Sequence, residues 1–312
     1  AMLLVALPTV VTGLVAMSAG GAPKTAVMIN GLPGAMGREI ASACLRRGVE
    51  LVPFGLTGPD CGGELSVDDG SGGSPMTVKL YESDGADEVA ARLAADYPHA
   101  VCIDFTLPVA VNPNAEWYAK HGLPFVMGTT GGDREALMAT VQKDNIYCVI
   151  APNMAKQIVA LQAAIEGMAA DFPGSFEGYT LSVEESHQSS KADTSGTAKA
   201  ISANLAQLTG AAFSDGQIEK VRLEEAQLAG GGVSHRGVSP VPKEALLGHA
   251  FHTYSLISGD GQVEFQFRHN VQGRSVYAEG AVDAALFLAA RVAAAEEKRQ
   301  FTMVDVLRAG AM

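Results

Sequence analysis

The stretch Thr25–Gly48, TAVMINGLPGAMGREIASACLRRG, decides the fold. It opens with a short apolar run that ends at Gly31, and then carries apolar residues at helical spacing. An apolar strand, a glycine turn and a helix in that order begin a βαβ unit. Gly31, Gly34 and Gly37 fall on the turn. The first permits a tight turn, and the second lets a pyrophosphate approach the backbone. The helix behind them offers free N–H groups and a positive dipole end. The pattern is GxxGxxG rather than GxGxxG, so the same glycines also suit a turn needed only for helix–sheet packing. Their place after the first strand favours a dinucleotide.

Outward from this unit, strands and helices alternate up to Asn153. Residues 49–58 read as one second strand, and 58–83 as a Gly/Ser/Asp-rich connection with one short strand. A helix stops at Pro98, the run 100–106 is a strand, and a helix closes at Gly122. Strand, helix and strand follow at 124–130, 133–145 and 146–153. This spacing predicts α/β architecture with a Rossmann-like, doubly wound parallel sheet. After Asn153 comes a long helix (156–172), then alternating runs at 178–186, 219–228, 248–259 and 262–273 between glycine turns. They predict an α+β unit with an antiparallel or mixed sheet. Two last helices return to the first unit. The expected domains are 25–153 for the dinucleotide, joined by about 282–312, and 154–281 for substrate binding and oligomerisation. Residues 1–24 read as a leader or tail.

Composition narrows the function. The chain of 312 residues has a formal net charge of −12 and no Lys/Arg-rich run, which argues against nucleic acid. The apolar start is short of the ~20 residues that span a bilayer and is broken by Pro8 and Gly13, so no membrane role is expected. Cys44, Cys61, Cys102 and Cys148 show no CxxC pairing, which predicts free core thiols in a reducing compartment and no metal.

The chemistry concentrates in Val183–Leu208, VEESHQSSKADTSGTAKAISANLAQL. Ser195, Gly196 and Thr197 begin a helix whose free N–H groups suit a carboxylate. Lys191 adds a cation, and His187 a group able to donate a proton near neutral pH. A solvated lysine, a capped helix and a structural histidine would look the same. On the cofactor side, Leu56 and Thr57 end the second strand where NAD-selective proteins carry an acid. Its absence leans toward NADPH, with NADH possible. Asp104–Pro108 and Gly128–Gly132 follow strands at the same crevice.

The motifs GLPGAMG, DFTLP, FVMGTTGG, APNM, ESHQSSKADTSGTAKA and GRSVYAEGAV, in this order, resemble the dihydrodipicolinate reductase family, most of all its plant-type branch. The resemblance implies reduction of 4-hydroxy-tetrahydrodipicolinate by NAD(P)H in the diaminopimelate route to lysine. It places the nucleotide on Gly31, Gly34, Ala35 and Met36, with Thr57, on Phe105 and Thr106, on Gly128, Thr129 and Thr130, and on Ala151, Pro152, Asn153 and Met154. It makes His187 the proton donor and Lys191 the essential lysine. Ser195, Gly196 and Thr197 become the dicarboxylate cradle, with Gln188 beside it. Arg274 and Tyr277 fall near the nicotinamide at the domain interface. Gln188 replaces a second histidine of bacterial members, and a proline is missing after Thr194. Leu107 and Leu56 replace a common arginine and acid. The family forms homo-oligomers, dimers or tetramers. Location follows the branch: plastid stroma for a photosynthetic eukaryote, otherwise cytoplasm. Two other classes fit the pattern less fully, another two-domain dehydrogenase of the aspartate family and a catalytically silent NADP-binding sensor.

Overall fold

The computed structural model describes residues 25–129, 131–230 and 239–310. The expected leader 1–24 and the expected cofactor contact Thr130 lie outside the described residues. The first unit runs β1 (Ala26–Asn30), α1 (Ala35–Arg46), β2 (Glu50–Leu51), β3 (Phe54–Leu56), β4 (Gly63–Val67) and β5 (Met76–Tyr81). It continues with α2 (Ala86–Asp96), β6 (Val101–Asp104), α3 (Val111–His121), β7 (Phe125–Met127), α4 (Arg134–Lys143) and β8 (Cys148–Ile150). Then come α5 (Lys156–Asp171), β9 (Thr180–His187), α6 (Gly196–Thr209), β10 (Ile218–Val221), α7 (Glu224–Ala229), β11 (His249–Ile257) and β12 (Glu264–Gln272). The chain closes with α8 (Ser275–Ala293), β13 (Gln300–Phe301) and α9 (Met303–Arg308).

Six strands form a parallel sheet in the order β13-β8-β7-β6-β1-β2. Every residue of β1 is buried, as a central strand covered on both faces requires. Val27, Ile29, Val101, Val126 and Val149 face one core with α1 and α8. Met28, Cys102, Phe125 and Cys148 face the other, with α2, α3 and α4. Each fully buried aliphatic chain contributes about 1.5–3 kcal/mol. A second sheet runs β10-β9-β11-β12, mixed in direction, and Val183, Tyr254 and Leu256 on one of its faces pack against Ala198, Ile201, Leu205 and Leu208 of α6. The α/β fold expected from sequence is the one observed.

Four details differ. The single strand expected at 49–58 is two, because Pro53 has no N–H to continue the ladder. After it, β3 leaves the main sheet and pairs with β5. The connection 58–83 holds two strands, the hairpin β4–β5 joined by the Asp/Gly/Ser turn. The alternation at 219–228 is strand only through Val221. Glu224 and Glu225 then open α7, where acids favour a helix N-terminus, and Gly230 ends it at φ +71°. Cys61 is exposed, unlike the buried Cys44, Cys102 and Cys148. Among the described residues, no helix is long and apolar enough to cross a membrane.

α8 crosses closely over the segment that leads into α5. A Cβ on Gly280 would lie 1.7 Å from the Met154 carbonyl oxygen. Gly280→Ala therefore forces backbone apart and is expected to cost about 1–3 kcal/mol. A thermal melt at least a few degrees below wild type checks this, and an unchanged Tm would refute the close packing.

Candidate active site

The turn after β1 is built for close approach. Gly31 stands at φ +107°, and a Cβ there would meet the Phe105 carbonyl oxygen at 2.5 Å. α1 begins with no side-chain cap and no acid in its first turn, so its leading amides remain for a polyanion. A cavity of about 360 Å³ opens above, lined among others by Gly31, Gly34, Leu56, Thr57, Phe105 and Thr106. Among the described residues, no charged side chain lines it. Leu107 and Val109 stand exposed at its wall, and Cys61 lines it too. The donor set fits a dinucleotide: glycine backbone, hydroxyls and apolar walls.

A buried network fixes the strand-end loops. Tyr118 Oη donates to Asp104 Oδ2 at 2.8 Å and accepts from Asn30 Nδ2 at 2.6 Å. The Leu56 amide donates to Asn30 Oδ1 at 2.8 Å. Asp104 Oδ1 accepts from the Thr106 amide and hydroxyl at 3.1 and 2.7 Å. Burial pushes the Asp104 carboxyl up, and these hydrogen bonds oppose it. Thr129 Oγ1 donates to the Thr106 carbonyl at 2.9 Å. Gly128 has no side chain because the Phe105 ring occupies that space. Asn30 and Tyr118 were not singled out by sequence; they lie 88 residues apart, and only the place of Asn30 at the end of β1 is a hint, Tyr118 being on α3.

The remaining expected cofactor residues divide. Ala35 and Met36 form the first turn of α1 rather than the cavity wall. Ala151, Pro152 and Asn153 line a separate cavity of about 200 Å³, and Met154 is buried in the core. Asn153 turns the other way: its Nδ2 donates to Thr197 Oγ1 at 2.9 Å. That bond joins the end of the parallel sheet to the first turn of α6.

On the far side of this bond, β9 ends in the buried run Glu184, Glu185, Ser186 and His187. Glu185 is fully buried and pairs with Arg222, and its Oε2 accepts the Ser195 amide at 3.0 Å. Arg222 also donates to the Lys191 carbonyl at 2.8 Å, which tethers the loop 188–194. Lys191 Nζ lies 2.8 Å from both oxygens of Asp193. Ser195 caps α6 by accepting from the Ala198 amide, so with its own amide turned to Glu185 the anion-facing donors are those of Gly196 and Thr197. Sequence reading missed Arg222, which lies 37 residues from its partner.

His187 differs from the expected proton donor at neutral pH. Burial first, and then the cations Arg222 and Lys191, hold its pKa down at about 3. The resting ring is neutral. A bound anion would reverse the second cause and raise it. His187 and Gln188 line a pocket of about 170 Å³ with His249, Arg274 and Tyr277, so the last two do meet the histidine. His187 Nε2 lies 3.0 Å from His252 Nε2, a buried neighbour outside the expected set. Glu185, His187 and His252 bring ligand-type atoms within 4.8 Å of one another; the two histidine nitrogens meet at 3.0 Å, Glu185 is paired with Arg222, and Glu185 Oε2 lies 3.8 Å from His187 Nε2.

The chain is similar to known proteins along most of its length. The family model for the N-terminus of dihydrodipicolinate reductase matches residues 25–154, and that for its C-terminus matches 158–307. The chain is 44% identical over 289 residues to the probable 4-hydroxy-tetrahydrodipicolinate reductase 1, chloroplastic, of rice, covering 92% of this chain and 79% of that one. It is 44% identical over 294 residues to the chloroplastic enzyme 1 of Arabidopsis thaliana, covering 92% and 78%. Against the reductase of a Cyanothece strain, identity is 31%, covering 81% and 89%. In fold the chain is similar to a dipicolinate-bound dihydrodipicolinate reductase from Paenisporosarcina, with TM-score 0.59, 21% identity, and 89% and 97% coverage.

Burial holds the pKa of His269 down at about 4, lowers that of His249, and drives that of His252 well below 6.5. An unfolded chain takes up these protons, and that of His187, as pH falls through about 6.5, while the folded one resists until far lower. Stability is therefore full above pH 6.5 and is lost as pH falls toward 3–4, by up to about 1.4 kcal/mol per pH unit each for His187 and His269, with His252 and His249 acting in the same direction. The urea midpoint is expected to fall clearly between pH 7.5 and 5.5. A constant midpoint would mean the rings are already charged in the folded state.

Proposed function

Because the chain belongs to the dihydrodipicolinate reductase family, we propose that it reduces 4-hydroxy-tetrahydrodipicolinate to tetrahydrodipicolinate in lysine biosynthesis, with NADPH preferred over NADH. The observation that carries this reading is the Asn153–Thr197 hydrogen bond. It sets the strand ends of a dinucleotide-type sheet against a helix N-terminus flanked by a lysine and a histidine. Residues 25–153 with the C-terminal helices from about 282 serve as the cofactor domain, and 154–281 as the substrate and oligomerisation domain.

When bound, the dinucleotide supplies the hydride. The amides of α1 hold its pyrophosphate, and Thr57, Phe105, Thr106, Gly128 and Thr129 flank the rest. The wall without a carboxylate supports NADPH, since nothing repels a 2′-phosphate. Lys191 and the amides of Gly196 and Thr197 hold the substrate's carboxylates, with Gln188 as a neutral contact. Arg274 and Tyr277 close the wall opposite His187. The incoming dianion offsets Lys191 and Arg222, so His187 gains a proton only beside substrate and delivers it there. Closure around the substrate excludes water. The long exposed edge strand β12 supports a homo-oligomer, dimer or tetramer, through the second sheet. The chloroplastic relatives support a plastid location.

A coupled assay tests the reaction. A purified synthase would generate substrate from pyruvate and aspartate semialdehyde, with NADPH and NADH followed in parallel. Oxidation that requires synthase, faster with NADPH, is expected, and dipicolinate should compete with substrate. His187→Ala should lower kcat about 10²–10⁴-fold with little change in KM. Lys191→Ala should lower kcat/KM about 10²-fold or more through both terms, because its charge acts in ground and transition states. Both variants within a few-fold of wild type would refute the assignment.

A further inference from the structure

His252 is 1% exposed and faces His187 across two strands. A row crosses the sheet there: Glu185 on β9 pairs with His252 on β11, which pairs with His269 on β12. The two Nε2 atoms at 3.0 Å require one hydrogen between them, since two lone pairs or two N–H groups would repel. The backbone of His249 favours a proton on the His187 ring, and with Nε2 turned to His252 that proton sits on Nδ1. His252 is then the donor through Nε2, and its Nδ1, 2.9 Å from Tyr254 Oη, accepts the tyrosine hydroxyl. His269 lies against the His252 ring at 4.5 Å between centroids, and its nitrogens have no hydrogen-bond partner among the described residues. It offers His252 no competing bond.

We infer that His252 is a positioning residue that changes tautomer when His187 is protonated. The inference rests on the proposed role of His187. At rest the pair holds two ring protons, on His187 Nδ1 and His252 Nε2. Once a proton from solvent is added the pair holds three. His187 then carries hydrogen on both nitrogens and donates through Nε2. His252 presents its Nε2 lone pair, with its single hydrogen on Nδ1 directed at the Tyr254 oxygen. Tyr254 serves either state because a hydroxyl both donates and accepts. A side chain with one fixed polarity, a carboxylate or an ammonium, would hold His187 in one charge state only. The charged groups around the pair set which state prevails. Glu185 favours the charged ring, 3.8 Å from His187 Nε2, while Arg222 and Lys191 oppose it. Arg274, just before α8, Tyr277 in its first turn, and the neutral His249 line the same pocket as His187.

Two measurements test this. In protein labelled with ¹⁵N at histidine, ring-nitrogen NMR of the free state should show His187 as Nδ1–H and His252 as Nε2–H. With dipicolinate bound, His252 should move to Nδ1–H. His252 found as Nδ1–H in the free state, or unchanged when calorimetry shows dipicolinate bound, would overturn the inference. If dipicolinate does not bind, the reading of the substrate pocket fails, and the free-state tautomers still decide the resting half. In the second measurement, His252→Phe should lower kcat about 10- to 100-fold with KM nearly unchanged. The protonated His187 has lost an acceptor, so the fall of kcat with rising pH should begin about one unit lower. His252→Gln, whose amide can turn either its oxygen or its NH₂ to His187, should restore most of both. A folded His252→Phe protein with wild-type kcat and pH profile would refute the role.

Discussion

The carboxylate of Glu185 is the constraint on which the site at the end of the second sheet depends. It is fully buried, yet it holds three separate pieces of chain: the end of β9, the Arg222 side chain after β10, and the amide that starts α6. Arg222 extends the hold to the backbone of Lys191. A buried ion pair of this kind adds little net stability over an apolar replacement, because both charges lose their hydration. Its return is geometric. The loop that carries Lys191 and the start of α6 are both anchored to this buried anion, the first through Arg222 and the second through the Ser195 amide. Asp104 does comparable work beside the glycine turn with neutral partners, tying the loop after β6 to Asn114 and Tyr118 of α3.

The face of the second sheet under α6 is graded along its length. Its far end, with Val183, Tyr254 and Leu256, is an ordinary aliphatic and aromatic core. Two residues along β9 and β11 the same face becomes Glu185, His187 and His252. The strand period of two keeps all of them on one side, so the packing that stabilises the sheet also sets the register of the chemistry. Four neutral histidines and a fully buried acid are tolerated because nearly all their polar atoms are matched, His269 being the exception.

Much of this was legible in the sequence, for definable reasons. Gly31 could be read because only glycine satisfies both its φ and the nearby Phe105 carbonyl. His187, Lys191 and Ser195–Thr197 could be picked out because they lie in one short stretch of chain, from the end of β9 to the first turn of α6. Pro53 should have marked the break between β2 and β3, since the rule that splits a strand at proline is local. The misread run 219–228 alternates like a strand, and only the pair of acids at Glu224 and Glu225 signals the change to helix. Arg222, Tyr118 and His252 were out of reach. Alternation in HAFHTYS tells which face His252 occupies, but not that His187 stands opposite. The charge state of His187 was also hidden, because a residue type carries its ordinary pKa, while burial and neighbouring cations belong to the fold.

The parallel sheet ends in β13, two residues that pair with β8 from a point about 150 positions later in the chain. Its core likewise takes Ala281, Val282, Ala285 and Leu288 from α8, and Met303 and Val306 from α9. Synthesis therefore delivers the glycine loop early and the side chains that cover it last. Until α8 and α9 follow, that face of the sheet is covered only in part, by α1 and the start of α5. The nascent chain therefore holds part of this apolar surface open while the entire second sheet is made, and the core closes only when α8 and α9 arrive.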